Sequence, residues 1–198
     1  MKDLFGKAIL DFQTNTSPED IITETNISEA DEMSVAYLFR NYNEMPKLEK
    51  KALQLCKGKI LDVGCGAGSH SLYLQEKGFE VTSIDISENA IEVCSIRGLK
   101  NARVQNLVEV ENEKFDTIIL LMNGTGIFET LNKTSDYLQK LKSLLNENGQ
   151  ILIDSSDIIY MYDEDEDGSY SVPAENYYGE LTFKIRYKNQ TEDDFPWL

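Results

Sequence analysis

At 198 residues the chain fits one domain with a sizeable core, and two domains would be cramped. A formal charge of −16 repels phosphate backbones, and 3 basic against 11 acidic side chains in 156–198 concentrate that excess toward the C-terminal end. The three cysteines form no C-x-x-C pair, and the longest apolar run is Ile118 to Met122, so neither a disulfide framework nor a membrane span is indicated.

The N-terminus lacks the uninterrupted apolar core of a signal peptide. A cytoplasmic protein with no nucleic-acid and no membrane partner is expected, its oligomeric state left open. In residues 1–31, Ser17-Pro18-Glu19-Asp20 offers a cap, a first-turn proline and two acids, which predicts short helices over the main body. Residues 32–43 place Met33, Ala36, Tyr37 and Arg40 on one helical face, and Met45-Pro46 breaks it. Lys47 to Cys56 carries Leu48, Ala52 and Leu55 at helical spacing and closes at Lys57-Gly58. Residues 1–57 therefore read as a helical cap, or substrate lid, on a body formed by 58–198, the whole being one globular unit.

From residue 59 strands and helices alternate. Strands are expected at 59–63, 79–85, about 103–105, 115–122 and 150–154, the fourth apolar enough to be buried on both faces. Helices are expected at about 69–77, from a Ser87 cap to Arg97, and from about 133 to 145, with Asn146 to Gly149 as a turn. This alternation predicts an α/β fold with a mostly parallel sheet and helices on both faces. After Asp157 the rhythm fails. Glu180 to Tyr187 alternates like a strand, and the large apolar residues of Phe195-Pro196-Trp197-Leu198 suggest either an incomplete C-terminal end or a docked terminus. Asp163 to Gly168 imitates the first half of a calcium loop, but Ala174 occupies its twelfth place and Glu175 comes one residue late, so no metal site is expected.

The most informative stretch is Lys59-Ile60-Leu61-Asp62-Val63-Gly64-Cys65-Gly66-Ala67-Gly68-Ser69-His70. A strand that ends in alternate glycines ahead of a helix lets backbone approach a ligand. Asp85 closes the next strand, 17 residues beyond Gly68. No lysine follows the glycines, which excludes a P-loop, and serine at 69 and 71 spoils the dinucleotide fingerprint. Asp62 would repel a pyrophosphate and suits a cationic, phosphate-free ligand.

The run Ile60 to Gly68 resembles motif I of the class I S-adenosylmethionine-dependent methyltransferases, small-molecule type, and Val81 to Asp85, Phe115 to Asn123 and Leu144 to Ile153 resemble the second, fourth and fifth strand motifs. The resemblance spans roughly 33–157 and implies a Rossmann-like sandwich with S-adenosyl-L-methionine as cofactor. It implies that Gly64 and Gly66 admit the methionine part, with the Cys65 backbone facing it. Asp62 would hold the ammonium and Asp85 the ribose hydroxyls, with Ile86 beside it. Asn106 and Leu107 would flank the adenine, although many relatives carry aspartate at 106. Met122 and Asn123 would lie near the methyl group. His70, the only histidine, could reach cofactor or substrate or simply pack. Arg40, with Tyr37 and Tyr42, could close over the site and pair with the cofactor carboxylate, or lie on the surface.

Methyl transfer to a small-molecule nucleophile is the activity implied. A general base is not identified; His70, Asp154 and Asp157 are candidates. Asn123-Gly124-Thr125-Gly126 stands where nucleic-acid amino-methylating enzymes resemble N-P-P-Y or D-P-P-Y, which argues against base methylation. A non-catalytic cofactor-binding module and a nicotinamide-dependent dehydrogenase are the alternatives.

Overall fold

The computed structural model describes residues 2–174 and 177–198. In chain order it begins with α1 (Leu4–Thr14), a hairpin of β1 (Ile21–Thr25) and β2 (Ser28–Met33), and α2 (Lys47–Leu55). There follow β3 (Ile60–Val63), α3 (Ser69–Glu76), β4 (Val81–Asp85), α4 (Glu88–Ile96) and β5 (Ala102–Val104). The chain continues through β6 (Phe115–Leu120), α5 (Leu131–Ser143) and β7 (Leu145–Ile153), then β8 (Leu181–Tyr187), β9 (Gln190–Thr191) and β10 (Phe195–Trp197). Glu175, used in the calcium-loop comparison, lies outside the described residues. Among the described residues no group of three or more His, Cys, Asp or Glu side chains is placed to hold a metal.

The central sheet is parallel in the order β5-β4-β3-β6-β7. This is the expected α/β, Rossmann-like architecture. The apolar β6 supplies both faces: Ile118 and Leu120 pack with Leu141 and Leu144 around α5, whereas Ile119 packs with Leu53 of α2 and Leu74 of α3. Successive strand residues point to opposite faces, so a strand covered on both sides must be apolar throughout. Ser87 caps α4 as its sequence suggests, accepting from the Ala90 amide at 2.9 Å. The expected turn at 146–149 is instead an irregularity inside β7: Phe115 pairs with Leu145 but Thr117 with Gln150. Three extra residues are accommodated there, with Asn148 left-handed at φ 60°.

The N-terminal segment differs most from expectation. Helix α1 precedes the Ser17-Pro18 cap signal, burying Leu4, Ala8 and Ile9, and the chain after Pro18 runs into a strand. Asp20 serves a different donor, accepting from the Val35 amide at 2.8 Å. Strand β1 lies between β2 and β8, with β10 beyond β8, forming an antiparallel sheet shared by both ends of the chain. The cap over 1–57 is therefore not wholly helical, and its boundary at 57 does not separate the two sheets. Nor do residues 32–43 form the predicted α-helix. Short 3-10 turns at Val35–Phe39 and Tyr42–Glu44 bury Val35 and Leu38, while Ala36 and Tyr37 face outward. On α2 the predicted Leu48 and Leu55 are exposed; Glu49 and Leu53 are the buried residues.

Contacts between the chain ends are polar as well as apolar. Glu192 accepts from the amides of Lys2, Asp3 and Leu4 at 2.7–3.1 Å, supplying acceptors that the first turn of α1 lacks. Asp11 accepts from Lys188 at 2.7 Å and Tyr187 at 3.0 Å. The apolar centre of this layer is Leu4, Ala8, Ile21, Val35, Ile185 and Tyr187. Ile9 and Leu38 then pack on Ala67 and Val93, so the layer bears directly on the glycine-rich loop.

Candidate cofactor and methyl-transfer site

The loop after β3 is held by backbone first. Gly64 and Cys65 amides donate to the Ile84 carbonyl at 2.9 and 3.1 Å, which fixes the chain as it leaves the sheet. Gly64, Gly66 and Gly68 have φ of 70°, 52° and 79°, the left-handed region where a side chain costs about 1–2 kcal/mol. At Gly68 a Cβ would press into Leu99 and the Cys94 thiol, so that glycine serves packing. At Gly66 a Cβ would meet nothing within 4 Å. Its side of the loop is open, a cradle where a ligand can lie against main chain.

Asp85 faces the same loop from the end of β4. Its Oδ2 accepts from the Gly66 amide and its Oδ1 from the Ser87 amide, both at 2.9 Å. Burial pushes the Asp85 carboxyl up from its ordinary value, and the amides of Ser87 and Gly66 pull against it. Each oxygen retains acceptor capacity for a further donor. Ile86, next along, is 60% exposed, an apolar side chain held out at a strand end.

Asp62 is almost fully buried on the α3 side of β3 and accepts from Ser71 Oγ at 2.6 Å; that hydroxyl also lies 2.6 Å from Ser83 Oγ. Burial raises its carboxyl, while the nearby His70 and the Ser71 hydrogen bond lower it. Cys65 is buried with its sulfur 3.8 Å from that of Cys94. Its contact with Cys94 and its burial push the thiol well up, which suits a filler and not a nucleophile.

Arg40 and His70 are brought together by Glu49, which sequence reasoning missed. Arg40 Nη2 reaches both Glu49 oxygens at 2.5 and 2.6 Å, and His70 Nε2 lies 2.7 Å from Glu49 Oε2. All three residues are buried. Burial alone would raise the Glu49 carboxyl, but hydrogen bonds from His70 and Arg40 outweigh it and hold the group low. Arg40 also donates from Nη1 to the Tyr37 carbonyl at 2.6 Å and lies 3.9 Å over the Tyr37 ring, while its buried Nε has no partner among the described residues. The signal for Glu49 was the spacing Met45, Glu49, Leu53, Cys56, a buried stripe that a search for apolar residues alone passes over. Arg97 was also missed. It donates to the Ala67 carbonyl at 2.5 Å and to Ser69 Oγ at 3.2 Å, tying the loop to the end of α4.

Beyond β5, Asn106 accepts from the Val108 amide at 3.1 Å and so caps a short 3-10 turn; Leu107 is buried in the main core. At the end of β6, Met122 and Asn123 are consecutive left-handed residues with φ of 67° and 60°. Non-glycine residues held this way are uncommon and concentrate at functional sites. Asn123 Oδ1 accepts from Ser156 Oγ at 2.8 Å, and Asp154 Oδ1 accepts from the Gly124 amide at 3.3 Å. These residues sit at or just past the carboxyl ends of β3 to β7, the edge where ligands bind in open α/β sheets. The open side of Gly66 and the Asp85 carboxylate fit a phosphate-free nucleoside with ribose hydroxyls.

Comparison with known proteins agrees. The family model described as a methyltransferase domain matches residues 56–191. A crystal structure of an S-adenosylmethionine-dependent methyltransferase from Bacteroides fragilis, in complex with S-adenosyl-L-homocysteine, is 44% identical with a TM-score of 0.91, covering 100% of this chain and 80% of that one. The putative methyltransferase YqeM of Bacillus subtilis is 31% identical over 58% of this chain and 52% of its own length. A ubiquinone biosynthesis O-methyltransferase of Rickettsia typhi is 29% identical over 57% of this chain and 43% of its own. The chain spans about half the length of these curated relatives. With glycine cradle, strand-end acid and sheet order in agreement with the family match, the chain belongs to the class I S-adenosylmethionine-dependent methyltransferases.

Proposed function

We propose that this protein transfers the methyl group of S-adenosylmethionine to a small-molecule nucleophile. The observation that carries the reading is the Gly66–Asp85 pair: open main chain beside a carboxylate whose two oxygens are already oriented by amides. When bound, the cofactor supplies a methyl group activated by its sulfonium. Asp85 accepts the ribose hydroxyls, Ile86 and the Leu107 backbone border the base, and Asn106 offers its amide to the base edge. Gly64 and Gly66 make room for the methionine portion, with the Cys65 backbone between them. Asp62 acts on the ammonium from behind the loop.

Arg40 contributes differently from the direct carboxylate pair expected of it. Its Nη groups are committed to Glu49 and the Tyr37 carbonyl, so Arg40 acts by fixing α2 against the turn that carries Tyr37. His70 is anchored on Glu49 and acts by holding α3 and α2 together. Residues 34–57 form the lid, with Tyr37 exposed at its edge. Met122 and Asn123 border the methyl group. Alignment of nucleophile, carbon and sulfur is the main task left to the protein, worth about 7–11 kcal/mol in well-oriented model reactions.

The small-molecule class follows from the −16 charge and the lack of a basic patch for a phosphate backbone. The names of the relatives do not choose an acceptor, since they span O-, N- and rRNA methylation. Calorimetry of the full chain with S-adenosylhomocysteine tests the donor; absence of binding by a folded sample overturns it. A metabolite screen read by S-adenosylhomocysteine formation tests the acceptor, and methylation confined to RNA overturns the small-molecule class.

A further inference from the structure

Residues 143–183 contain no lysine, arginine or histidine. They include β7, the last strand of the central sheet, and the segment leaving that strand is tied to the end of β6 by the Ser156 hydroxyl, which donates to Asn123. One residue on, Asp157 accepts from the Tyr178 hydroxyl at 3.0 Å. Tyr162 donates to the Tyr178 carbonyl at 2.8 Å and its ring meets that of Tyr178 edge-on, with centroids 6.1 Å apart; the Tyr177 ring lies 5.0 Å from Tyr178. Tyr160 and Tyr177 remain exposed. Tyrosine rings and the Asp157 carboxylate thus gather one residue from the Asn123–Ser156 contact, in a stretch of sequence that carries no cation.

Resting on the donor reading above, we infer that the methyl acceptor is a small molecule carrying an amine that arrives as its ammonium form. The ring quadrupoles of tyrosine attract a cation, a carboxylate adds Coulomb attraction, and both repel a carboxylate or phosphate acceptor. Asp157 is the specificity-determining carboxylate, oriented by Tyr178. The ammonium first gives one proton to the Asp157 carboxylate and on to solvent, which frees the nitrogen lone pair. The N–C bond then forms as the C–S bond breaks, the sulfur keeps the bonding pair as a neutral thioether, and the N-methylammonium product leaves.

The test uses the full chain saturated with S-adenosylhomocysteine, with benzyltrimethylammonium and benzoate as calorimetric probes. The ammonium is expected to bind about tenfold more tightly than benzoate. Asp157→Lys should reverse that preference, and Tyr178→Leu should weaken the ammonium about fivefold, each leaving S-adenosylhomocysteine affinity unchanged. Equal or inverted affinities in the unsubstituted protein, or no binding of the ammonium, overturn the amine inference while the donor reading stands. Failure to bind S-adenosylhomocysteine in the first place is a separate result, which overturns the donor reading.

Discussion

The Gly66 amide donates to Asp85 Oδ2 at 2.9 Å, joining the loop after the first central strand to the end of the second. The bond ties the open main chain to the carboxylate, the two halves of the proposed cofactor cradle. Asp85→Ala should therefore cost more than one ligand contact. We expect S-adenosylhomocysteine affinity to fall about thirtyfold, or about 2 kcal/mol, as read by calorimetry. An affinity unchanged in a folded variant would remove Asp85 from the site.

Gly66 and Gly78 offer a matched pair. Both have positive φ, 52° and 90°, and both would place a Cβ in open space. Gly66→Ala and Gly78→Ala should each lower stability by about 1–2 kcal/mol in urea unfolding. Only Gly66→Ala should also weaken S-adenosylhomocysteine binding, because only there does the added carbon occupy the cradle. Similar binding by the two variants would contradict that assignment.

Two buried carboxyls respond to pH with opposite sign. Glu49 is held below its ordinary 4.5, so its contribution is complete above that value and is lost as pH falls through the lower folded value. Asp62 is raised above its ordinary 3.8, so its contribution is present below that value and is lost as pH rises through the higher folded value. At neutral pH Glu49→Gln should cost about 3 kcal/mol, since Arg40 and His70 lose their shared partner inside the protein. Asp62→Asn keeps an acceptor for Ser71 and should leave stability within about 1 kcal/mol while weakening cofactor binding. Urea titrations at pH 7 and pH 4 separate the two: the penalty at Glu49 should shrink on acidification.

Trp197 lies against Gly126, and a Cβ at Gly126 would overlap its indole ring. Gly126→Ala should destabilise by about 1–3 kcal/mol through overpacking. In a Trp197→Ala background the same change should cost much less, the mark of two residues in one contact. Additive effects in that double-mutant cycle would show that the β10 segment is not packed on this turn in solution.

Much of the central layer was legible because its signals are local. Gly78 and Gly98 end helices α3 and α4, Ser87 caps α4, and the unbroken apolar run of β6 marks a strand covered on both faces. The glycines and Asp85 were legible for the same reason, each marking a backbone requirement or a strand end. Glu49 was not, because a buried acid makes sense only when Arg40 and His70 arrive from other elements. Nor was the face of α2, where Leu48 is left out and Glu49 taken in.

By itself the sequence determined the alternation of strand and helix, the open glycine turn, the acid that follows it and the sign of the protein's charge. Only the tertiary structure decided what the two ends of the chain do. Ile22 pairs with Arg186 and Thr23 with Ile185, across more than 160 residues, and nothing in the local period of either segment names the other. Antiparallel pairing at that separation is selected by the shared apolar centre of Leu4, Ile21, Val35, Ile185 and Tyr187, which exists only once the chain has folded.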